Sequence, residues 1–129
     1  MKKIGLKKSE LQIETEILQW LNMQEGVFAF KVETRGFYDS NKGFYRRNRN
    51  KFVLKGTSDI LAVFKGRFLA IEVKTPINMR KFKGNPGEHE LNQIAFLSAV
   101  TQKKGLSICA SSLDEVINYI ESVNLTVNV

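Results

Sequence analysis

The sequence predicts a mixed α/β fold in which helices cover the faces of one sheet. Two features of the order of segments lead to this prediction. Two strand-like runs joined by a short turn lie in the middle of the chain, and a further strand-like run lies between two segments with helical periodicity. Strands that alternate with helices in this way are typical of a layered α/β domain, so we expect a mixed central sheet flanked by helices.

The chain begins with a predicted helix and a predicted strand. Ser9 is a suitable N-cap for a helix that runs to about Met23, and the apolar residues of this helix fill one broad arc of its surface. Glu10 and Glu14 fall inside that arc, so we expect one of them to turn toward the interior. Apolar residues alternate along 27–33, and this pattern predicts a strand.

A predicted loop and a predicted hairpin follow. Residues 34–50 are rich in glycine, asparagine and arginine, which is typical of a long loop. Residues 57–76, "TSDILAVFKGRFLAIEVKTP", predict two apolar strands that meet at a two-residue turn formed by Lys65 and Gly66. This turn sets the register of the two strands, so every expected contact across the hairpin depends on it.

The remainder of the chain contains two predicted helices with a strand between them. Residues 77–90 contain the turn-forming run "NPG" and predict another loop. Residues 89–105 predict a helix that is closed by Gly105. Residues 106–112 predict a short buried strand, and 112–123 predict a capped amphipathic helix.

Size and composition limit the class of protein. A chain of 129 residues has a common size for one domain, which we place at residues 1–129. No apolar run reaches 18 residues and no apolar stretch follows the basic N-terminus, so we expect neither a membrane span nor a signal peptide. We therefore expect a cytoplasmic protein. The single cysteine, Cys109, lies in an apolar run and predicts a buried, inert thiol.

The chain is strongly basic. A formal charge of +7 suggests a polyanionic partner. Two basic clusters carry much of this charge; either alone fits a solvated loop, but together they predict a surface that contacts nucleic-acid phosphates. The first cluster comprises Lys42, Arg46, Arg47, Arg49, Lys51 and Lys55, with Phe44, Tyr45 and Phe52 between them. The second comprises Lys74, Arg80, Lys81 and Lys83.

The predicted hairpin contains charged residues, although apolar residues alone would be enough to form its two strands. With the turn at Lys65 and Gly66, Asp59 lies opposite Glu72, and opposed residues have Cβ atoms about 4.5–5.5 Å apart. Lys74 shares the face of Glu72, because side chains alternate along a strand. A divalent cation between the two carboxylates would stabilise this arrangement. An ordinary salt bridge from Lys74 to one of the acids is the alternative.

The spacing of these charged residues resembles a known signature. "SD" at Ser58 and Asp59, followed after 12 residues by "EVK", is similar to the signature of the PD-(D/E)XK nucleases, which often have proline where Ser58 stands. More narrowly, the chain resembles the virus-type replication-repair nuclease (VRR-NUC) family in its small phage and bacterial form. The segments that carry this resemblance are "SELQIETEILQWL", "GFY", "GTSDIL", "FLAIEVKTP" and "ELNQIAFL". The resemblance implies a restriction-endonuclease-like αβββαβ core.

The resemblance also implies roles for residues of the hairpin. Asp59 and Glu72 match the metal ligands of the family, which are joined in such sites by a backbone carbonyl, here that of Val73. Lys74 matches the catalytic lysine, which lies near the attacking water. The metal that the resemblance implies is Mg²⁺ or Mn²⁺, because either ion can neutralise a phosphate and activate a bound water.

Two further positions of the implied site lie on helices. Gln93 matches a glutamine of the helix that follows the hairpin, and a glutamate of the first helix usually completes such a site. Glu10 fits the family's "SE" start and is the preferred residue, with Glu14 as the alternative. His89 is the only histidine, so we expect neither a histidine-rich zinc site nor a Ser-His-Asp triad. We expect it in a polar loop, solvated or as a helix cap.

The function we expect is that of a metal-dependent DNA endonuclease in replication, repair or recombination. Branched DNA, such as a Holliday junction or a flap, and a homodimer with one cut per protomer are implied by family analogy. A catalytically inactive nucleic-acid-binding module of the same fold is one alternative, although a pure binder has no need of a carboxylate pair facing phosphate. A restriction-type nuclease is another, although it usually requires a larger recognition apparatus than 129 residues offer.

Overall fold

The structure, a computed structural model, describes residues 7–33, 37–39, 44–46, 52 and 54–127. Within these ranges the chain forms four helices and six strands. In order they are α1 (Glu10–Met23), β1 (Val27–Lys31), β2 (Phe37–Asp39), β3 (Phe44–Arg46), β4 (Ile60–Phe64), β5 (Arg67–Val73), α2 (Pro76–Gly84), α3 (Glu88–Gln102), β6 (Leu106–Ala110) and α4 (Leu113–Val127). Across the described ranges, no helix combines the length and apolar character needed to span a bilayer.

The central sheet has four strands in the order β1-β4-β5-β6. Strand β4 is antiparallel to both of its neighbours, β1 and β5, whereas β6 is parallel to β5. Parallel neighbours need a crossover connection, and here α2 and α3 connect β5 to β6. The predicted mixed α/β fold, with one mixed sheet flanked by helices, is therefore confirmed.

The hairpin of β4 and β5 turns at the two predicted residues. Lys65 and Gly66 both have positive φ, 46° and 82°, as a type I′ turn requires. The resulting register places Phe64 opposite Arg67 and Ile60 opposite Ile71. The predicted register is therefore confirmed, and its continuation brings Asp59 beside β5.

Helix α1 begins and ends where the sequence predicts. The Ser9 hydroxyl accepts a hydrogen bond from the Gln12 backbone N–H at 3.2 Å, and the Gln12 side chain accepts one from the Ser9 N–H at 2.8 Å. This reciprocal capping box satisfies two N–H groups that the helix itself leaves unpaired. The side chains that α1 buries are Ile13, Glu14, Ile17 and Leu21.

Two apolar layers enclose the sheet. Helices α1 and α4 cover one face, where Leu69, Ile71 and Val73 of β5 are fully buried. Helices α2 and α3 cover part of the other face, and their apolar contacts there involve Ala70, Met79, Phe82 and Leu97. Because side chains alternate along β5, Ala70 and Glu72 share the second face, so the site lies on the α3 side of the sheet.

The prediction of a loop over residues 34–50 is wrong for the parts of this segment that the structure describes. Strands β2 and β3 form an antiparallel pair in which Tyr38 lies opposite Tyr45. Each strand contains Phe-Tyr, and aromatic residues favour strands because they fit a pleated surface. The many Gly, Asn and Arg residues of this segment concealed that preference in the sequence.

The loop predicted for residues 77–90 is also wrong, because helix α2 occupies most of it. The Thr75 hydroxyl caps the helix, accepting from the Asn78 N–H at 3.3 Å, and Pro76 occupies the first turn, where its missing N–H costs nothing. Met79 and Phe82 are three residues apart and both are buried. Packing of these two side chains against the sheet stabilises this short helix.

The segment before β4 depends on close backbone packing at Gly56. Its φ is +81°, and a Cβ atom there would lie 2.4 Å from the carbonyl carbon of Asn92. Gly66 has nearly the same φ, +82°, but a Cβ atom there would meet nothing within 4 Å. Replacement of Gly66 would therefore add backbone strain alone, whereas replacement of Gly56 would add both backbone strain and steric overlap.

We expect Gly66→Ala to destabilise the chain by about 1–2 kcal/mol, since only left-handed strain is added. Gly56→Ala should cost clearly more, because the overlap with the α3 backbone must also be relieved. Urea unfolding of both variants measures the difference. Equal losses of stability would contradict the close packing of this segment against α3.

Candidate functional site

A cavity of about 440 Å³ opens beside the N-terminal half of α1 and the end of β5. We call it the acidic cavity, because four carboxyl side chains line it and a fifth lies at its rim. Lysine, histidine and glutamine side chains complete the polar lining. The titratable and amide residues concerned are Glu10, Glu14, Lys31, Glu33, Asp59, Glu72, Lys74, His89 and Gln93. The four carboxyls in question are Glu10, Glu14, Asp59 and Glu72; Glu33 is exposed at the rim.

Asp59 is held in place by the two strands on either side of it. Its carboxylate Oδ2 accepts a hydrogen bond from the Val73 backbone N–H at 2.9 Å. Its backbone carbonyl accepts one from the Val32 N–H at 2.8 Å. These contacts tie the residue before β4 to both β1 and β5, at the wall of the cavity.

Glu72 is the most deeply buried acid of the cavity, with 1% of its surface exposed. Its Oε1 accepts a hydrogen bond from Gln93 Nε2 at 2.5 Å and lies 3.7 Å from Lys74 Nζ. Its Oε2 has no hydrogen-bond partner among the described residues. Burial first, and then the charge of Asp59, raise the pKa of Glu72 to about 9.

The two glutamates of α1 lie one helical turn apart and both face the cavity. One carboxylate oxygen from each of Glu10, Glu14 and Asp59 lies within 4.8 Å of the other two. Burial, followed by the charge of Asp59, raises the pKa of Glu10. Burial also raises the pKa of Glu14, against a hydrogen bond from Lys31. The structure brings both α1 acids to the site, so the preference for Glu10 stays a prediction.

Lys74 and Gln93 both contact Glu72, as a site built on β5 and α3 requires. Lys74 Nζ also lies 5.7 Å from the centroid of the Phe82 ring, which keeps the ammonium partly shielded from water. The Lys74–Glu72 contact at 3.7 Å is the salt bridge that the sequence left as an alternative to a cation. It engages only Oε1, so the second oxygen of Glu72 is not accounted for by the salt bridge.

His89 is a site residue that the sequence analysis missed. It was expected in a polar loop, but it lies in the first turn of α3, with Nε2 3.2 Å from Gln93 Nε2. One helical turn separates the two residues, so their side chains share a face. The i, i+4 spacing to Gln93 is the signal that could have placed it in the site.

The acidic cavity fits a divalent cation. Buried carboxylates are stable only when they are paired, protonated or bound to metal. Two lysines face four carboxyls, and a buried oxygen of Glu72 has no partner in the described part of the chain. Hard cations such as Mg²⁺ and Mn²⁺ take carboxylate oxygens as ligands. The predicted contribution of the Val73 carbonyl stays a prediction; its N–H binds Asp59.

The basic clusters are described only in part. Of the first cluster, Lys42, Arg47, Arg49 and Lys51 lie outside the described residues, and Arg46 ends β3. Apart from Lys74, the second cluster lies on a helix and not on the predicted loop. Arg80, Lys81 and Lys83 are all exposed on α2, and Lys81 forms an ion pair with Glu90 at 3.0 Å. Lys55 is exposed before β4.

Cys109 is half-buried in β6, and its sulfur lies 3.8 Å from the Met79 sulfur. Burial, followed by the charge of Glu72, raises the pKa of its thiol to about 12. The thiolate is the reactive form of cysteine. A neutral thiol at physiological pH agrees with the predicted inert residue.

Comparison with known proteins adds no assignment to this geometry. No protein-family model matches the chain, and no curated protein matches it. The functional argument therefore depends on the residues and contacts of the acidic cavity.

The raised pKa of Glu72 makes stability depend on pH in a defined direction. Its folded pKa of about 9 lies above the ordinary value of 4.5. Its contribution to folding is therefore complete below pH 4.5 and is lost as pH rises through 9. In EDTA, we expect the free energy of unfolding to fall between these values by up to about 1.4 kcal/mol per pH unit from this one group.

Urea unfolding at several pH values, with Glu72→Gln beside the wild type, measures this contribution. The variant cannot titrate at this position, so its stability should decline less with pH. Glu121→Gln removes an exposed carboxyl of α4 and should keep the wild-type slope. A Glu72→Gln slope equal to that of the wild type would show that Glu72 ionises normally.

Proposed function

We propose that this chain is a metal-dependent DNA endonuclease of the PD-(D/E)XK type, related to the VRR-NUC nucleases. The observation that carries the proposal is the convergence of Asp59, Glu72 and Lys74 on one cavity, where a buried carboxylate oxygen has no partner among the described residues. The order of elements supports it. Without the β2–β3 pair, α2 and the final helix α4, the chain runs α1, β1, β4, β5, α3, β6, the order of the αβββαβ core.

Four groups of this chain would hold the cation. They are the carboxylates of Asp59, Glu72 and Glu10 and the backbone carbonyl of Val73. When bound there, Mg²⁺ or Mn²⁺ neutralises charge on the scissile phosphate and lowers the pKa of a water. Both ions prefer the oxygen ligands that this set offers.

Gln93 and Lys74 would orient the other groups of the cavity and stabilise negative charge. Gln93 donates to Glu72 Oε1 and so fixes the rotation of that carboxyl, leaving Oε2 for a ligand. Lys74 projects from the end of β5 as a positively charged donor that could orient the attacking water and stabilise the charge developing on phosphate. The partial shielding of Lys74 from water strengthens this electrostatic contribution.

The DNA backbone would be held by the two basic clusters. Arg80 and Lys83 are exposed on α2, which starts three residues after Val73. Contacts of lysine and arginine with phosphates give affinity without sequence preference. Branched DNA as the preferred substrate comes from the resemblance, and Phe44 and Tyr45 could stack on unpaired bases there.

A homodimer belongs to the proposal because a two-stranded target requires two cuts. An exposed apolar row on the sheet supports it. Phe28, Val63 and Phe68 lie opposite one another across β1, β4 and β5, and the Phe30 ring lies 5.7 Å from that of Phe28. These four side chains expose roughly 400 Å², about half of what each partner buries in a standard interface.

The two alternatives lead to different outcomes with the same DNA. An inactive binding module gains nothing from carboxyls beside phosphate, since their charges repel. It would bind DNA without cutting it under any metal condition. A restriction-type nuclease would cut linear duplex at a defined sequence, whereas the proposed enzyme distinguishes DNA by its branching.

We expect cleavage in Mg²⁺ or Mn²⁺ and none in EDTA on a panel of duplex, flap and four-way-junction DNA. Asp59→Asn and Glu72→Gln should each lower the rate by at least about 100-fold, because a charged ligand is removed. DNA affinity should stay the same or increase, since repulsion of phosphate is reduced. Glu121→Gln is the matched control and should cut normally. Wild-type rates in both site variants would refute the assignment.

We also expect the triple replacement of Arg46, Arg47 and Arg49 by alanine to weaken DNA binding. The slope of log affinity against log salt should shrink by about 0.9 for each phosphate of duplex DNA that the variant no longer neutralises. We expect the free energy of unfolding to change by only about 0.5 kcal/mol. Fluorescence anisotropy across a salt series measures both effects, with Lys103→Ala as a control. An unchanged affinity and slope would mean that DNA approaches elsewhere.

A further inference from the structure

Lys31 is a second lysine of the acidic cavity, and neither the hairpin signature nor the proposed mechanism gives it a role. It is the last residue of β1 and lies opposite Ile60 in the sheet, next to Asp59. Its Nζ lies 3.2 Å from Glu14 Oε2. The ladder of β1 and β4 therefore places an ammonium group at the α1 side of the cavity, while Lys74 lies on the Glu72 side.

Glu14 is almost completely buried, so its carboxylate needs a positively charged partner. Its side chain is 6% exposed, and Lys31 is its ion-pair partner. One of its carboxylate oxygens lies within 4.8 Å of oxygens from Glu10 and Asp59. Three carboxylates this close repel one another unless positive charge lies among them, and the Lys31 ammonium provides one such charge.

The same three carboxylates offer oxygen ligands for a divalent cation. A cluster of acids alone would not indicate a ligand, but Glu72, whose buried Oε2 has no hydrogen-bond partner among the described residues, lines the same cavity. Asp59 links these carboxylates to Glu72: it lies next to Glu72, and it is also one of the three clustered carboxylates with Glu10 and Glu14. The donor set of the cavity therefore extends from Glu72 through Asp59 to Glu14.

We propose that Glu14 is a ligand of the divalent cation and that the Lys31 ammonium competes with the cation for it. A lysine in contact with Glu14 repels a second positive charge on the same carboxylate. The cation must therefore displace Lys31 before Glu14 can bind it. This inference rests on the proposed function only in requiring that the cavity binds a divalent cation.

Lys31 has a second anionic partner to receive it when it leaves Glu14. Its Nζ lies 3.7 Å from Glu33 Oε1, and the Glu33 side chain is 60% exposed at the rim of the cavity. A lysine has a flexible stem and three donors, so a small rotation moves its ammonium from Glu14 to Glu33. The displaced charge would then lie at the rim, where a nucleic-acid phosphate would approach.

Titration of the protein with Mn²⁺ alone, followed by isothermal calorimetry, tests the competition without DNA or cleavage. Lys31→Met keeps the apolar stem and removes the charge, and we expect it to bind Mn²⁺ about tenfold more tightly, or about 1.4 kcal/mol. Lys31→Gln should change affinity in the same direction and guards against a folding defect in the first variant. Lys103→Met removes an exposed charge at the end of α3 and measures the effect of net charge alone.

Removal of Glu14 distinguishes competition from a general field effect. Glu14→Gln should weaken Mn²⁺ binding, and Lys31→Met should have no further effect in the Glu14→Gln background, because the contested ligand is gone. A Lys31→Met affinity no higher than that of Lys103→Met would overturn the inference. So would an increase that persists in the Glu14→Gln background.

The outcomes separate this inference from the proposed function. If neither the wild type nor Lys31→Met binds Mn²⁺, the cation site itself fails and both proposals fall. If Mn²⁺ binds and Lys31→Met behaves like Lys103→Met, only the competition fails. If Lys31→Met binds more tightly but no DNA is cut, the competition stands and the nuclease assignment fails.

Discussion

Four carboxyl groups held in one cavity are the constraint that the rest of the site must accommodate. Separately, each would stay in water; together, Glu10, Glu14, Asp59 and Glu72 repel one another and lose hydration. The fold offsets this cost with two lysines, an amide from Gln93 and a backbone N–H from Val73. One buried oxygen of Glu72 is left without a partner in the described ranges, and a cation would satisfy it.

The packing of strand β5 in the core holds one of these carboxyl groups, that of Glu72, in its buried position. The strand's alternate side chains Leu69, Ile71 and Val73 lie in the core, while Glu72 between them faces the cavity. A strand packed on both faces can shift very little, because interiors are close-packed. The core therefore holds Glu72 in position although its charge opposes burial, and the tight turn at Lys65 and Gly66 keeps Asp59 in register with it.

Helices α2 and α3 determine what surrounds the cavity. Helix α2 places Arg80 and Lys83 on an exposed helical surface soon after the end of β5, and its Phe82 ring lies near Lys74. Helix α3 brings Gln93 to Glu72 from the other side, and His89 lies beside Gln93. Close approach of the 54–57 segment to Asn92 ties α3 to the strand that carries Asp59. The acidic residues are thus local to two segments, but their partners come from β1, the end of β5 and α3.

The sequence by itself determined the features that depend on near neighbours. Ser9 and Gln12 cap α1 within one turn, and Lys65 and Gly66 set the hairpin register, so the meeting of Asp59 and Glu72 could be predicted. Only the tertiary structure decided the rest. Helix α2 forms because Met79 and Phe82 pack against a distant sheet, and its polar, turn-rich sequence predicted a loop.

The partners of the acids also came only from the tertiary structure. Lys31 meets Glu14 because β1 pairs with β4 beside α1. The physical reason is range: caps and turns are decided by hydrogen bonds within a few residues, whereas helix packing and ion pairs between elements exist only after distant segments have met.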